Sequence, residues 1–155
     1  MRKIFFLLCL LFGTLWAQNT KDILLLHSYH KGYKWSDDIS KVIEKNFSDK
    51  DNTFVSTVYM DTKRVDTPEY LEEFYHYYKE RFKHYSFDMV MAVDNSALAF
   101  VQEHYEELFK NTPIVFLGIN NFESSLIQGI KRVTGVVENV DIEKNLDLML
   151  ALQPE

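Results

Sequence analysis

Five short apolar segments alternate with longer segments in which apolar residues recur at helical spacing, and this alternation constrains the fold more than any other feature. The first segment, 22–28, reads Asp-Ile-Leu-Leu-Leu-His-Ser, and such a continuous run is typical of a strand buried on both faces. Further strands are predicted over 53–60, 87–93, 113–118 and 132–137. Capping residues or a proline predict that helices begin at Ser36, Pro68, Ser96 and Asp141.

Strands that alternate with helices predict an α/β fold in which helices cover both faces of a mostly parallel sheet. Right-handed crossovers favour the strand order 2-1-3-4-5, a Rossmann-like or flavodoxin-like three-layer sandwich. Ligands of such folds bind beyond the carboxyl ends of the strands, where the strand order reverses. The inward face of the first helix is predicted to comprise Ile39, Val42, Ile43 and Phe47, and that of the last helix Ile142, Leu146, Met149 and Leu150.

The first seventeen residues have the order of a secretory signal peptide. Met1-Arg2-Lys3 is basic, residues 4–16 are apolar and uncharged, and Ala17 precedes a polar run. The apolar run is short for a membrane span, which needs about 20 residues. We therefore expect export to the periplasm or another extracytoplasmic space, with cleavage after Ala17. An uncleaved signal that anchors the chain to the inner membrane is the alternative.

The composition disfavours several classes of partner and site. The chain has 17 Lys and Arg residues against 23 Asp and Glu, a formal charge of −6, whereas nucleic-acid binding needs clustered cations. Its single cysteine, Cys9, falls inside the signal, so neither a disulfide framework nor a cysteine-rich zinc site is expected. His27 and His30 lack a third ligand nearby in sequence, and no metal is predicted.

Motifs that carry catalysis are missing from the sequence. It contains no Gly-x-Ser-x-Gly elbow, no glycine-rich phosphate loop and no His-Glu-x-x-His. No cofactor is predicted, and the chain is not predicted to be an enzyme. A secreted hydrolase built on a flavodoxin-like sheet is kept as the alternative, because a fold alone never determines function.

Aromatic and polar side chains are concentrated in the loops that follow the predicted strands. The loop after the first strand could form the wall of a pocket, because aromatic rings supply large contact areas. The charged turn after the second strand could hold an anionic group through Lys63 or Arg64. The candidate ligand-binding residues are Ser28, Tyr29, Tyr33, Trp35, Asp61, Arg64, Asp94, Asn95, Asn120 and Asn121.

Each of these loops also has a purely structural interpretation. The aromatic residues could pack at a domain edge, and the 61–64 turn could be a solvated turn. Ser96 would suffice to cap its helix, and the paired asparagines at 120 and 121 could form only a tight turn. The residues alone leave both interpretations open.

Five motifs in order resemble one family. They are His27-Ser28-Tyr29 with Trp35-Ser36-Asp37, then 60–64 (Met-Asp-Thr-Lys-Arg), 92–98 (Ala-Val-Asp-Asn-Ser-Ala-Leu), 113–121 (Pro-Ile-Val-Phe-Leu-Gly-Ile-Asn-Asn) and 134–138 (Thr-Gly-Val-Val-Glu). The chain resembles the ABC-transporter substrate-binding-protein-like family, which has the type I periplasmic-binding-protein fold. The Asp-Thr-Lys-Arg version is similar to the extracytoplasmic sensor domains of bacterial histidine kinases and diguanylate cyclases.

The resemblance implies two α/β lobes with a ligand clamped between them. Residues 18–137 would form the first lobe, and 138–155 the crossover and first helix of a second lobe. The implied function is recognition of a small polar or anionic solute, for signal sensing or for ABC-type uptake. The implied partners are an ABC permease or the rest of a membrane-bound sensor. We therefore expect the chain to be a fragment of a larger protein, or a lobe that needs a partner chain.

Overall fold

The computed structural model describes residues 20–47, 52–139 and 141–153, and the predicted signal peptide at 1–17 lies outside these ranges. The strands are β1 (Lys21–His27), β2 (Thr53–Tyr59), β3 (Met89–Val93), β4 (Ile114–Asn120) and β5 (Val133–Glu138). The helices are α1 (Lys34–Phe47), α2 (Pro68–Phe82), α3 (Asn95–Glu103), α4 (Tyr105–Leu108) and α5 (Ile142–Leu152), with a 3-10 turn at Ser124–Ile127. Within the described ranges, no helix is long and apolar enough to cross a membrane.

The five strands form one parallel sheet in the order β2-β1-β3-β4-β5. This confirms the predicted α/β sandwich and its strand order. The order reverses between β1 and β3, so the loops after these two strands lie side by side at the carboxyl edge of the sheet.

β1 is buried on both faces, as its continuous apolar run predicts. Leu24 and Leu26 belong to the larger core, which α2, α3 and α4 cover. Ile23 and Leu25 belong to a smaller core on the opposite face, which α1 covers. Because successive strand residues point to opposite faces, a central strand in a covered sheet is apolar at every position. We call the face of the sheet that α1 covers the α1 face.

The predicted inward face of α1 is confirmed at three of four positions. Ile39, Ile43 and Phe47 pack on the α1 face of the sheet. Val42 is 61% exposed, so its predicted burial is wrong. Val42 lies at the margin of the apolar stripe, so the rotation of the helix that buries Ile39 and Ile43 turns it toward solvent.

Most element boundaries differ from the predicted ones by one or two residues, and three of these differences affect the carboxyl edge. α1 begins at Lys34 rather than Ser36, since the Asp37 amide already donates to the Tyr33 carbonyl at 3.0 Å. α3 begins at Asn95 and is capped by Asp94 rather than by Ser96. β4 continues beyond Gly118 to Asn120 through a bulge, at which Gly118 has a φ of +66°.

The last helix forms where it is predicted, but its apolar residues are not buried. Asp141 caps α5 by accepting a hydrogen bond from the Lys144 amide at 3.0 Å. Ile142 and Leu150 are 68% and 72% exposed, and Leu146 and Met149 are exposed as well. Their predicted burial is wrong because α5 leaves the edge strand β5 without folding back over the sheet.

Candidate functional site

Three loops at the carboxyl edge and the first turn of α1 bring five side chains into one cluster, which we call the carboxyl-edge cluster: Tyr29, Tyr33, Trp35, Lys63 and Asp94. The Tyr29 ring centroid lies 5.1 Å from that of Tyr33, in an edge-on arrangement, and 6.1 Å from that of Trp35. The Lys63 Nζ lies 4.5 Å from the centroids of both tyrosine rings. The Tyr29 hydroxyl donates to Asp94 Oδ2 at 2.7 Å.

The loop between β1 and α1 has a defined conformation that presents these rings. Gly32 has a φ of +92°, a value that glycine adopts without steric cost. The Gly32 amide donates to Asp37 Oδ1 at 3.0 Å, so the first turn of α1 holds the loop. Trp35 then packs over Gly118, where a β-carbon would lie 2.5 Å from the indole Cζ2. The absence of a side chain at 118 therefore determines where Trp35 lies.

Burial and charge keep Tyr29 as a neutral hydrogen-bond donor. Burial raises the pKa of the Tyr29 hydroxyl, and the hydrogen bond to the Asp94 carboxylate raises it further. The charge of Glu138 contributes in the same direction, which indicates that the end of β5 lies close to the cluster. Tyr29 therefore donates a proton to Asp94 and does not ionise near neutral pH.

Asp94 is a nearly buried carboxylate with two donors in this cluster. It is 7% exposed and has a φ of +73°. Its Oδ1 accepts from the Asn95 amide at 2.6 Å, while Oδ2 accepts from Tyr29. The amino end of α3 favours a negative charge at this position. Asp94 thus both caps α3 and accepts a hydrogen bond from Tyr29 within the cluster. The interpretation that assigned capping to Ser96 is corrected.

Asp61 and Arg64 lie on the same edge but contact each other. Arg64 Nη1 lies 3.3 Å from Asp61 Oδ2, and Nη2 lies 3.3 Å from His30 Nδ1. Asp61 has a φ of +59°, and its Oδ1 is buried without a hydrogen-bond partner among the described residues. Of the two cations considered for an anion, Lys63 faces the aromatic rings, and Arg64 is already paired.

Asn95 and Asn120 form a reciprocal contact that joins α3 to β4. Asn95 Nδ2 donates to the Asn120 carbonyl at 3.1 Å, and the Asn120 amide donates to Asn95 Oδ1 at 3.0 Å. The Asn95 side chain is therefore committed to the backbone of β4. Asn121 is exposed with a φ of +50°, a conformation that asparagine tolerates in tight turns.

Ser28 belongs to the fold rather than to an accessible site. It is fully buried, and its Oγ donates to the Val93 carbonyl at 2.9 Å and accepts from the Ala97 amide at 2.8 Å. The hydroxyl thereby satisfies one of the free amides in the first turn of α3. A solute at the carboxyl edge could not reach it without displacing these contacts.

Replacing Ser28 by alanine is expected to destabilise the fold by about 1 to 2 kcal/mol, because the Ala97 amide would be buried without a partner. Urea unfolding of the Ser28→Ala variant measures this change. Ser96→Ala is the matched control, since no side-chain hydrogen bond of Ser96 occurs among the described residues. Equal stability of both variants and the parent would contradict the role of Ser28.

A serine–histidine pair lies away from the carboxyl-edge cluster, between β1 and α1. His27 Nε2 lies 2.8 Å from Ser40 Oγ, and the imidazole stacks on Tyr59 with centroids 5.1 Å apart. Sequence reasoning did not find this pair, because 13 residues separate its members. Ser40 lies inside α1, so the neighbouring amides are used by the helix and offer no oxyanion hole. His27 is fully buried, and its contacts are those of a core residue.

Two clefts elsewhere do not contain the cluster. One, of about 460 Å³, lies between α2 and α3 and includes Thr62, Glu72 and His104 in its lining. The other, of about 570 Å³, lies at the amino edge and borders Phe47 and Thr53, which flank the undescribed residues 48–51. The carboxyl-edge cluster is an open surface by comparison. No group of three or more metal-ligating side chains occurs within the described ranges.

The comparisons with known proteins add no relative. No family model matches the chain, and searches of curated proteins and of solved structures find no match. The resemblance to periplasmic binding proteins and the ligand-binding role of the cluster therefore stay predictions that rest on the residues themselves.

Proposed function

We propose that this chain is an extracytoplasmic ligand-binding lobe that recognises a small polar or anionic solute at the carboxyl-edge cluster. The observation that carries the proposal is the position of Lys63. Its ammonium lies over two tyrosine rings at the switch point of a parallel sheet, where α/β folds bind their ligands.

The contacts of Lys63 leave it able to bind an anion. Within the described ranges, no carboxylate lies within ion-pairing distance of its Nζ, whereas Arg64 pairs with Asp61. A cation over aromatic faces is attracted by the rings, and this contact restricts where the ammonium lies. A carboxylate or phosphate that approaches the rings would gain a charge-assisted hydrogen bond from Lys63.

The hydrogen-bonded pair of Tyr29 and Asp94 supplies a polar contact on the other side of the cluster. Asp94 can accept from a hydroxyl or ammonium group of the solute, because a carboxylate has about four acceptor sites and two are occupied. Trp35 and Tyr33 supply apolar contact area. The cluster thus favours a small molecule with an anionic group and a neighbouring donor.

The cluster is open to solvent on one side, so a second protein surface is needed to enclose a ligand there. Ligands of small-molecule sites usually lose 70% or more of their surface to the protein, and one exposed sheet edge covers less, so we expect the lobe alone to bind its ligand only weakly. A second lobe or a partner chain would complete the site, as the resemblance implies. The role would then be input to a sensor kinase or cyclase, or delivery of solute to an ABC permease.

Binding is tested by thermal unfolding of the purified chain with succinate, inorganic phosphate, glycine and glucose as probes. We expect the anionic probes, and not glucose, to raise the unfolding temperature. An anion at ten times its dissociation constant would add about 1.4 kcal/mol of stability. Lys63→Met should abolish the rise, whereas Lys131→Met, which removes a charge before β5 at the opposite edge, should leave it unchanged.

Two results would count against the proposal. Stabilisation by none of the probes would remove the anion preference, and equal stabilisation of the Lys63→Met variant would place the anion elsewhere. Sensing and uptake are separated by reading the coding DNA beyond codon 155. A second lobe followed by a membrane span and a kinase or cyclase would favour sensing, and a second lobe followed by a stop codon would favour uptake.

A further inference from the structure

Exposed large apolar side chains are concentrated in one segment of the chain. Of the thirteen within the described ranges, eight lie in β5 and α5: Val136, Val137, Ile142, Leu146, Leu148, Met149, Leu150 and Leu152. The other five lie outside this segment, between residues 42 and 85. Soluble monomers rarely expose large contiguous apolar patches, so we expect the apolar face of α5 and the adjoining surface of β5 to be covered.

α5 also needs a packing partner in order to be a stable helix. It has 11 residues, and isolated helices of this length are marginal in water. The cap from Asp141 contributes one favourable contact, but six large aliphatic side chains of the helix remain more than half exposed. Most of the stability of such a helix comes from burying its apolar face.

The sheet has an uncovered apolar surface against which the apolar face of α5 can pack. The core on the α1 face includes side chains from α1 and from no other described helix. Val115 and Leu117 of β4 are only partly buried there, and Val136, which is paired with Leu117 in the neighbouring strand, is 62% exposed. We call the surface formed by these three residues the open half-face.

We infer that a second copy of this chain binds through this segment, with α5 of each copy packed on the open half-face of the other. Only three residues, 139–141, connect β5 to α5, and short connections favour exchange of an element between copies. The arrangement is reciprocal, so it closes as a two-fold dimer and leaves no free copy of either surface.

The available area is sufficient for a stable dimer. Two copies bring ten exposed apolar side chains to the interface, Val136, Ile142, Leu146, Met149 and Leu150 of each copy, and each removes on the order of 100 Å² from water. The total is on the order of 1,000 Å², the lower limit for a specific protein interface. This inference does not rest on the proposed ligand, and its test does not involve the carboxyl-edge cluster.

The test is the oligomeric state of the purified chain, measured by sedimentation equilibrium. We expect a dimer, and we expect Leu146→Asp, Leu150→Asp and Val136→Asp each to raise the dimer dissociation constant by at least about 30-fold, the loss typical of a central interface residue. Phe54→Asp and Tyr77→Asp are matched controls, since these residues are 60% and 58% exposed and lie in β2 and α2, away from the open half-face. Both controls should remain dimeric.

Hydrogen exchange of the α5 amides provides a second measurement. In the dimer these amides should be protected, and dilution below the dissociation constant should remove the protection. A wild-type chain that stays monomeric at tens of micromolar would overturn the inference. Protection of α5 that survives dilution, or a dimer that survives both leucine substitutions, would overturn it as well.

Discussion

Lowering the pH from 6.5 to 4 is expected to cost this protein about 3 kcal/mol of stability through His27 alone. Burial lowers the pKa of His27 from 6.5 to about 4, and the charge of Asp37 opposes this shift only in part. In the unfolded chain the imidazole takes up its proton near pH 6.5, whereas the folded chain resists it until about pH 4. The buried neutral ring therefore costs no stability well above pH 6.5. The free energy of unfolding falls as the pH drops from 6.5 toward 4, because the unfolded chain binds a proton that the folded chain does not.

The contacts of His27 give the physical reason. A neutral ring with its proton on Nε2 can donate to Ser40 and leaves only an acceptor, Nδ1, without a partner. Protonation would place a second N–H in a fully buried position that offers it no acceptor among the described residues. Burying an unpaired charged donor costs more than leaving an acceptor unpaired.

Denaturant unfolding at pH 7 and pH 4 measures this effect in the parent and in the His27→Phe variant, whose ring can still stack on Tyr59. The fall in the free energy of unfolding should be about 3 kcal/mol smaller in His27→Phe. The pKa of the partly buried His104 is also lowered, so the difference between the two proteins isolates His27. His84→Phe, at an exposed histidine, should retain the full pH dependence. The same fall in all three proteins would contradict the assignment.

Replacing Gly118 by alanine is expected to destabilise the protein by about 2 to 5 kcal/mol. The φ of +66° disfavours any side chain by about 1 to 2 kcal/mol. The new β-carbon would also lie 2.5 and 2.6 Å from Cζ2 and Cη2 of Trp35, and relieving such overpacking typically costs about 1 to 3 kcal/mol. The indole must move, so we also expect a red shift in Trp35 fluorescence and weaker binding at the carboxyl-edge cluster.

Gly129→Ala separates the two contributions. Gly129 has a φ of +88°, but a β-carbon there would meet no atom within 4 Å, so its variant should lose only the backbone contribution. The double variant Gly118→Ala with Trp35→Leu should recover the part that arises from the clash. If Gly118→Ala and Gly129→Ala were equally stable relative to the parent, the close packing of Trp35 on the bulge would be wrong.

Local patterns were sufficient to predict the layers of this fold. Three of the four positions predicted to face inward on α1 are confirmed, Ile39, Ile43 and Phe47, because helical spacing places these positions on one side whatever the surroundings. The parallel sheet and its order are confirmed because strand alternation and the handedness of crossovers leave few arrangements. The four α5 residues that helical spacing predicted to face inward are exposed, since spacing identifies an apolar face but not what covers it.

The sequence by itself determined the layers, the strand order and the three loops that meet at the carboxyl edge, because these follow from local periodicity and chain handedness. Only the tertiary structure decided which polar groups there are already paired. The partners of Ser28 are 65 and 69 residues away along the chain, and the two rings beneath Lys63 belong to a different loop. Hydrogen-bond partners and aromatic contacts between distant segments depend on three-dimensional position, which no local spacing records.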